Sequence, residues 1–230
     1  MRILGIIPAR GGSKGVPDKN IKFVGEHPLV VHAVLCAKQS SGITDVVVTT
    51  DSQKIADVVG DLATVVRRPE NLATDTSSVT EAIAHVLDQM DTEYDIIVVL
   101  QPTSPLRSGK DIDNIASIFE LSPHINSVAS VVEFNDIHPA RMYSVSEDGT
   151  LLSLMQESET ARRQDLTPVL FRNGCFYAVR TKAFRDSGSL MAIPKKGYVM
   201  DAQWLLNIDT PRDFLIAEVL YNEWRNENSH

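Results

Sequence analysis

Three cations, Arg10, Lys14 and Lys19, and three glycines crowd residues 8–20. Glycines let a backbone approach a ligand and turn its N–H groups toward it, and the cations add positive charge. A polyphosphate needs both. The order Ser13-Lys14-Gly15 is not a Walker A loop, which needs Gly-Lys-Ser/Thr opening a helix, and the glycine spacing of the dinucleotide fingerprint is absent. Taken alone, the stretch also fits an ordinary surface turn, with Lys14 as a solvated lysine at its tip. A second polar loop opens on Gln101-Pro102-Thr103. The Gln101 amide has donors and an acceptor but no charge, which suits a ligand contact or a plain turn. Arg107, at the end of this loop, is expected to tie it down. A third candidate is Asn207-Ile208-Asp209-Thr210-Pro211, where Asp209 serves a metal or merely caps the helix that follows. The histidines form no ligand pattern, His32 reads as structural, and no Ser-His-Asp or Cys-His order stands out.

These residues need elements to position them. Residues 3–7, 45–50, 64–66 and 95–100 read as short strands, several apolar throughout, alternating with helices at 29–39, from 51–52 to about 59, and at 79–90 and 108–121. Strands apolar on both faces and separated by helices predict a parallel sheet covered on both sides. Ligands of such sheets sit outside the carboxyl ends of the strands. The loops at 8–20 and 101–107 both leave strands at that edge, so the organisation places them in one crevice. Asp51-Ser52 and the cluster 75–78 read as helix caps. The alternation breaks down beyond residue 127. A strand at 127–134, a hairpin of 141–145 with 150–154, and a polar stretch at 156–168 form an insertion at about 134–170 on a single domain spanning 1–230. Strands are expected again at 176–179 and 204–208, then an amphipathic helix at 211–224 with Pro211 at a favoured first position. If 204–208 is a strand, Asn207 and Asp209 face the same side.

Composition narrows the partners. The 230 residues hold 30 acidic and 22 basic side chains, a net charge of -8, which argues against a nucleic-acid partner. A small anionic substrate is still admitted, because a local cluster of cations dominates its own cleft. Two distant cysteines, Cys36 and Cys175, make neither a disulfide framework nor a metal set, and Cys36 reads as a small buried apolar residue. No run reaches the length of a membrane span and no signal-peptide pattern opens the chain, so a cytoplasmic enzyme with no membrane partner is the expectation.

Ala9-Arg10-x-Gly-Ser13-Lys14-Gly15 with Lys19-Asn20 resembles the N-terminal signature of CMP-sialic acid synthetases, the acylneuraminate cytidylyltransferases. Three further blocks fit in order: Arg68-Pro69 with Leu72-Ala73-Thr74-Asp75-Thr76, then Gln101-Pro102-Thr103-Ser104-Pro105-Leu106-Arg107, then Asn207-Ile208-Asp209-Thr210. Together they cover nearly the whole chain. The resemblance implies a three-layer α/β fold of the nucleotide-diphospho-sugar transferase type. It implies a homodimer in which the insertion reaches over its partner, and transfer of CMP from CTP to a nonulosonic (sialic-type) acid. Arg10, Lys19 and Asp209 would be catalytic; Ala9, Arg10, Lys14, Lys19, Asn20, Arg68 and Ser77 would meet the nucleotide. Gln101, Arg141, Arg163 and Tyr177 would meet the sugar acid. Mg2+, or Mn2+, would be held by Asp209 and Asn207.

The chain departs from that family in three places. Asn207 replaces the first carboxylate of the usual Asp-x-Asp, Val79 stands where serine is common, and Phe171-Arg172-Asn173-Gly174 is one residue shorter than the family's Phe-Arg-x-Asn-Gly. The expected reaction is that of an N-acylneuraminate cytidylyltransferase. The alternatives are the same chemistry on legionaminic, pseudaminic or another 2-keto sugar acid, and a noncatalytic nucleotide-binding protein on the same fold.

Overall fold

A computed structural model describes residues 1–12, 15–74, 76–134 and 137–228. The strands are β1 (Ile3–Pro8), β2 (Phe23–Val24), β3 (His27–Pro28), β4 (Asp45–Thr50), β5 (Thr64–Arg67), β6 (Ile96–Val99), β7 (Ser127–Phe134), β8 (Tyr143–Val145), β9 (Leu151–Ser153), β10 (Val169–Arg180) and β11 (Lys195–Met200). The helices are α1 (Leu29–Gln39), α2 (Gln53–Val59), α3 (Val79–Gln89), α4 (Gly109–Leu121), α5 (Thr181–Ser187) and α6 (Pro211–Asn228). Seven strands make one sheet in the order β11-β7-β10-β6-β1-β4-β5. Only β10 runs antiparallel to its neighbours β6 and β7; the remaining pairs are parallel. The mostly parallel α/β class read from the sequence is the class observed.

Successive side chains of a strand point to opposite faces, and that alternation builds two cores. Ile3, Ile7, Ile96 and Val98 meet α1, α2 and α4 on one face. Leu4, Ile6, Ile97 and Val99 meet α3 and α5 on the other. Both cysteines are buried, and burial pushes their thiols up to about 12 for Cys36 and about 11 for Cys175, so they behave as small apolar side chains. His32 is also buried, with Nε2 2.8 Å from the Val24 carbonyl, and burial pulls its pKa down.

A third, smaller cluster positions the site. Val24, Leu29, Leu106, Leu206, Ile208, Ala217 and Tyr221 pack together. This joins the segment after the first loop, the end of the second loop, the stretch before α6, and α6 itself. Gly25 sits in the left-handed region at φ 57, and a Cβ there would lie 2.1 Å from the Tyr221 ring.

Two readings need correction. Residues 204–208 are not a strand: Ala202–Trp204 is a short 3-10 turn and the following residues are irregular. The edge strand is β11 instead, whose Lys195-Lys196-Gly197 start hides it from a hydrophobicity pattern. Asp51 does not cap α2. Ser52 does, its hydroxyl accepting from the Ile55 N–H at 3.4 Å.

Replacing Gly25 with alanine should destabilise the fold by about 2–4 kcal/mol, from the left-handed backbone and the overpacked ring. A denaturant midpoint close to wild type would contradict this packing of α6 on the N-terminal segment.

Candidate functional site

The first loop leaves β1 and is pinned beside the neighbouring strand. Ala9 is fully buried, and its N–H donates to the Thr49 carbonyl at 3.0 Å. The Gly11 N–H donates to Asp51 Oδ1 at 2.9 Å, and any Cβ on Gly11 would strike Ser52. Asn20 is buried and its amide donates to the Arg10 carbonyl at 2.9 Å. Asn20 therefore holds the shape of the loop that presents Arg10. The Arg10 guanidinium donates to the Thr74 carbonyl at 3.2 Å. Lys14, expected to meet the nucleotide, lies outside the described residues.

Lys19 closes the loop against the far end of the chain. Its Nζ is 2.8 Å from Asp209 Oδ1 and 2.9 Å from the Ile208 carbonyl. Gly15 lies so close to Asp209 that a Cβ would sit 2.3 Å from the Asp209 carbonyl oxygen. The Asn207 amide donates to Asp209 Oδ2. Asn207 and Asp209 thus converge as expected, although through an irregular turn rather than by strand alternation. The Ile208 N–H donates to the Thr103 carbonyl at 2.9 Å, which brings this segment against the second loop.

Asp209 is not the cap of α6. Asp213, in the first turn of α6, instead reaches back to fix the chain entering the helix, its carboxylate accepting from the Asp209 N–H at 2.9 Å, the Thr210 N–H at 2.7 Å and the Thr210 hydroxyl at 3.0 Å. The bond from the Asp209 N–H leads in holding the Asp213 carboxyl below its ordinary pKa, with the Thr210 donors adding to it. The Asp209 side chain is left to face the cleft.

The second loop is held from beneath. Arg107 is buried, donates to the Gln101 carbonyl at 2.8 Å and to the Cys175 carbonyl, and lies over the Phe176 ring at 5.3 Å. It ties the loop down, as the sequence suggested. Gly174, at φ 78, sits where a Cβ would be 3.2 Å from Gln101 Oε1. The irregularity in the β10–β7 pairing between Arg172 and Tyr177 lies here. Asn173 maintains it, its Oδ1 accepting from the Ser130 hydroxyl at 2.5 Å and from the Cys175 N–H at 3.2 Å.

Arg10, Gly15, Lys19, Asn20, Arg68, Ser77, Gln101, Asn207 and Asp209 all line one open cleft of about 600 Å³. Arg68 is not a surface charge. It is buried, and its guanidinium donates to the Thr49 carbonyl at 3.0 Å. Burial lowers its pKa, against the opposing pull of Asp51. The Ser77 hydroxyl is taken up with building the turn before α3, donating to the Asn71 carbonyl at 3.0 Å. Arg141 and Arg163 are elsewhere. They line a separate cavity of about 340 Å³ with His138 and Gln164, and the Arg141 guanidinium donates to the Ala161 carbonyl at 3.4 Å. Tyr177 pairs with Val99 in the sheet and packs partly buried against its second core. Gly15, Asp51, Asn173 and Asp213 were not singled out for these roles, because a close approach or a backbone clamp leaves no mark of its own in sequence spacing.

The described lining of the cleft holds three cations and one carboxylate, in a chain whose net charge is -8. Such a cleft can bind a polyanion across Arg10 and Lys19, with a single carboxylate and a carboxamide at its C-terminal wall.

Comparison with known proteins places the chain among cytidylyltransferases. A family model described as Cytidylyltransferase matches residues 4–180. The CMP-N,N'-diacetyllegionaminic acid synthase of Legionella pneumophila is 35% identical over 228 residues, covering 96% of each chain. The N-acylneuraminate cytidylyltransferase of Streptococcus agalactiae serotype V is 30% identical over 221 residues, covering 94% of this chain, which spans 52% of that relative's length. Among solved structures, a CMP:2-keto-3-deoxy-manno-octonic acid synthetase complexed with CTP superposes with a TM-score of 0.74 at 17% identity. That match covers 97% of this chain and 99% of the other, and it speaks to the fold.

The two aspartates before and within α6 should separate cleanly. Asp213→Ala should cost about 1 kcal/mol of stability, the usual loss for a helix cap. Because the Asp213 pKa is depressed in the fold, that contribution is present above the ordinary carboxylate pKa and disappears as pH falls through the folded value. Asp209→Asn should move the melting temperature little, since its half-exposed ion pair is worth about 0–1 kcal/mol. Melting curves of both variants at neutral and acid pH check this, and a larger loss from Asp209→Asn would reverse the assignment.

Proposed function

The chain belongs to the cytidylyltransferase family and within it to the CMP-sialic acid synthetases, and on that premise we propose that it transfers CMP from CTP to a nonulosonic sugar acid, releasing pyrophosphate. The observation that carries this is the convergence of Arg10, Lys19, Gln101 and Asp209, from three distant parts of the chain, in one cationic cleft. The anomeric hydroxyl of the acid attacks the α-phosphorus, and the bond to the bridging oxygen of the leaving pyrophosphate breaks. Arg10 and Lys19 lie where negative charge accumulates on the phosphates, the kind of preorganised contact that dominates such reactions. Asn20 fixes Arg10, and Arg68 lines the wall assigned to the base, whereas Ala9, fully buried with its N–H on the Thr49 carbonyl, anchors the loop rather than lining the cleft. Gln101 faces the acceptor side.

A divalent cation fits this donor set. Asp209 is spared from capping, lies in the cleft with Asn207 against it, and supplies the hard oxygen that Mg2+ prefers. Among the described residues no cluster of three or more His, Cys, Asp or Glu could hold a metal alone, so phosphate oxygens and water would complete the shell. Bound there, Mg2+ or Mn2+ neutralises charge on the phosphates and the leaving group.

The insertion is assigned to a homodimer. Val145 and Leu151, on β8 and β9, are 65% and 61% exposed, and Leu152, Leu154, Leu170 and Phe171 are exposed as well. An apolar surface of this extent calls for a partner. The cavity holding Arg141 and Arg163 shares no lining residue with the nucleotide cleft. Those arginines would hold the sugar carboxylate of the partner's site. As for the sugar, an N-acylneuraminate is the first reading, since a relative of that name matches 94% of this chain at 30% identity. A legionaminic-type acid is the second reading, favoured by the 35% identity over 96% of both chains. No helix of the described residues is long and apolar enough to cross a membrane, which is consistent with the cytoplasmic setting we infer.

Pyrophosphate release from CTP and Mg2+ with a panel of nonulosonic acids tests the reading. Turnover on at least one is expected, and none on any would leave a noncatalytic nucleotide-binding protein. Arg10→Ala should lower kcat/KM roughly a hundredfold, and an unchanged value would remove the loop from the chemistry. Arg163→Ala should raise KM for the sugar far more than for CTP. Mixing it with Arg10→Ala should restore activity that neither has alone; failure to complement would place Arg163 outside the shared site.

A further inference from the structure

Both carboxylate oxygens of Asp209 are already engaged by the protein. Lys19 Nζ takes Oδ1 at 2.8 Å and the Asn207 amide takes Oδ2. The Lys19 side chain is only 13% exposed, so the ion pair is partly shielded from solvent. Around it the described cleft lining adds Arg10 and Arg68 without a second carboxylate. Before any ligand arrives, a divalent cation would have to displace an ammonium to reach the one carboxylate of the described lining. Mg2+ also gives up water reluctantly.

Taking Asp209 as the protein's carboxylate for the metal, as in the reading above, we propose that the nucleotide-free enzyme excludes the cation, and that Lys19 and Asn207 enforce this order of binding. A triphosphate supplies several negative charges at the same wall. Lys19 then has a better partner than Asp209, and the freed carboxylate would be open to the metal. Asn207 is the residue that sets this order. A carboxylate in its place would add a second negative charge beside Asp209, and the cation would be attracted without nucleotide.

The exchange does not dismantle the site. Ile208 is fully buried, its N–H is held by the Thr103 carbonyl at 2.9 Å, and Asp213 holds the Asp209 and Thr210 N–H groups. Asp209 therefore keeps its place when Lys19 lets go.

Mn2+ serves as the probe, its uptake read by electron paramagnetic resonance, and nucleotide binding is read by calorimetry. The nucleotide is a CTP analogue with a methylene group in place of the α,β-bridging oxygen. The wild-type protein alone should take up no Mn2+. By reciprocity, the analogue should bind roughly ten- to a hundredfold more tightly with Mn2+ than without it. Asn207→Asp and Lys19→Met should each take up Mn2+ with no nucleotide present. Uptake by the nucleotide-free wild type overturns the proposal, as does absence of uptake by both variants when circular dichroism shows them folded. The metal assignment itself is read separately. If Asp209→Asn keeps the full Mn2+-dependent gain in analogue affinity, Asp209 is not a ligand, and the underlying reading falls rather than the binding order alone.

Discussion

The site depends on one long-range closure. Lys19 meets Asp209 across 190 positions of sequence, and Gly15 lies against the Asp209 backbone with no room for a Cβ. Two strands of a parallel sheet would by themselves present the first and second loops at one edge. They would not bring a carboxylate there. The segment 205–209 does so by crossing the mouth of the cleft, and its own backbone is satisfied by groups from both loops: the Ile208 N–H by Thr103, and the Ile208 carbonyl by Lys19. Cleft wall and chain closure are one structure.

That closure needs an apolar anchor, because an exposed ion pair contributes little. The anchor is the cluster of Leu206 and Ile208 with Val24, Leu29, Leu106 and Tyr221. Burying side chains of this size contributes on the order of 1.5–3 kcal/mol each, against the small worth of the Lys19–Asp209 pair. The energetic division follows from those magnitudes. Packing holds the segment in place, and the charged groups remain available for ligand exchange. Arg107 illustrates the opposite assignment. It is a buried arginine with its pKa lowered first by burial, committed to the Gln101 and Cys175 carbonyls and to the Phe176 ring. It stiffens the loop that it ends and is no longer available to substrate.

Much of this was legible in the sequence, for identifiable reasons. β1, β4 and β6 are short apolar runs bounded by turn residues, and the alternation with helices fixed their parallel pairing. The loops at their carboxyl ends followed. β11 was not legible, since an edge strand beginning Lys-Lys-Gly is covered on one side only and lacks the signature of a buried one. The stretch 204–208 misled for the converse reason: Trp204, Leu206 and Ile208 are apolar because they serve the third cluster, not because they pair in a sheet. Asn207 and Asp209 converge all the same, through a turn whose geometry no periodicity describes. Helix capping was readable in kind but not in place. The sequence pointed to Asp209 as the candidate cap of α6, whereas the backbone donors there gather around Asp213. Arg68 was the hardest residue to read, because a pair of arginines normally marks a solvated edge.

The distribution of positive charge also bears on how many chains a complete site needs. The described cleft lining offers Arg10, Lys19 and Arg68. In the reading developed above, the first two meet a triphosphate and the third faces the base side, with its guanidinium already on Thr49. An acceptor acid brings a further carboxylate, and Gln101 has no charge to set against it. Arg141 and Arg163 have that charge, yet they open into another cavity beside a sheet of exposed apolar residues. Two incomplete half-sites on one chain, separated by a surface that calls for a partner, are resolved economically by a twofold axis. In the homodimer we propose, each copy would supply the nucleotide wall of one site and the acceptor wall of the other. On that reading the insertion serves the exchange, and the exposed leucines of β9 would be the physical reason for the two walls to meet.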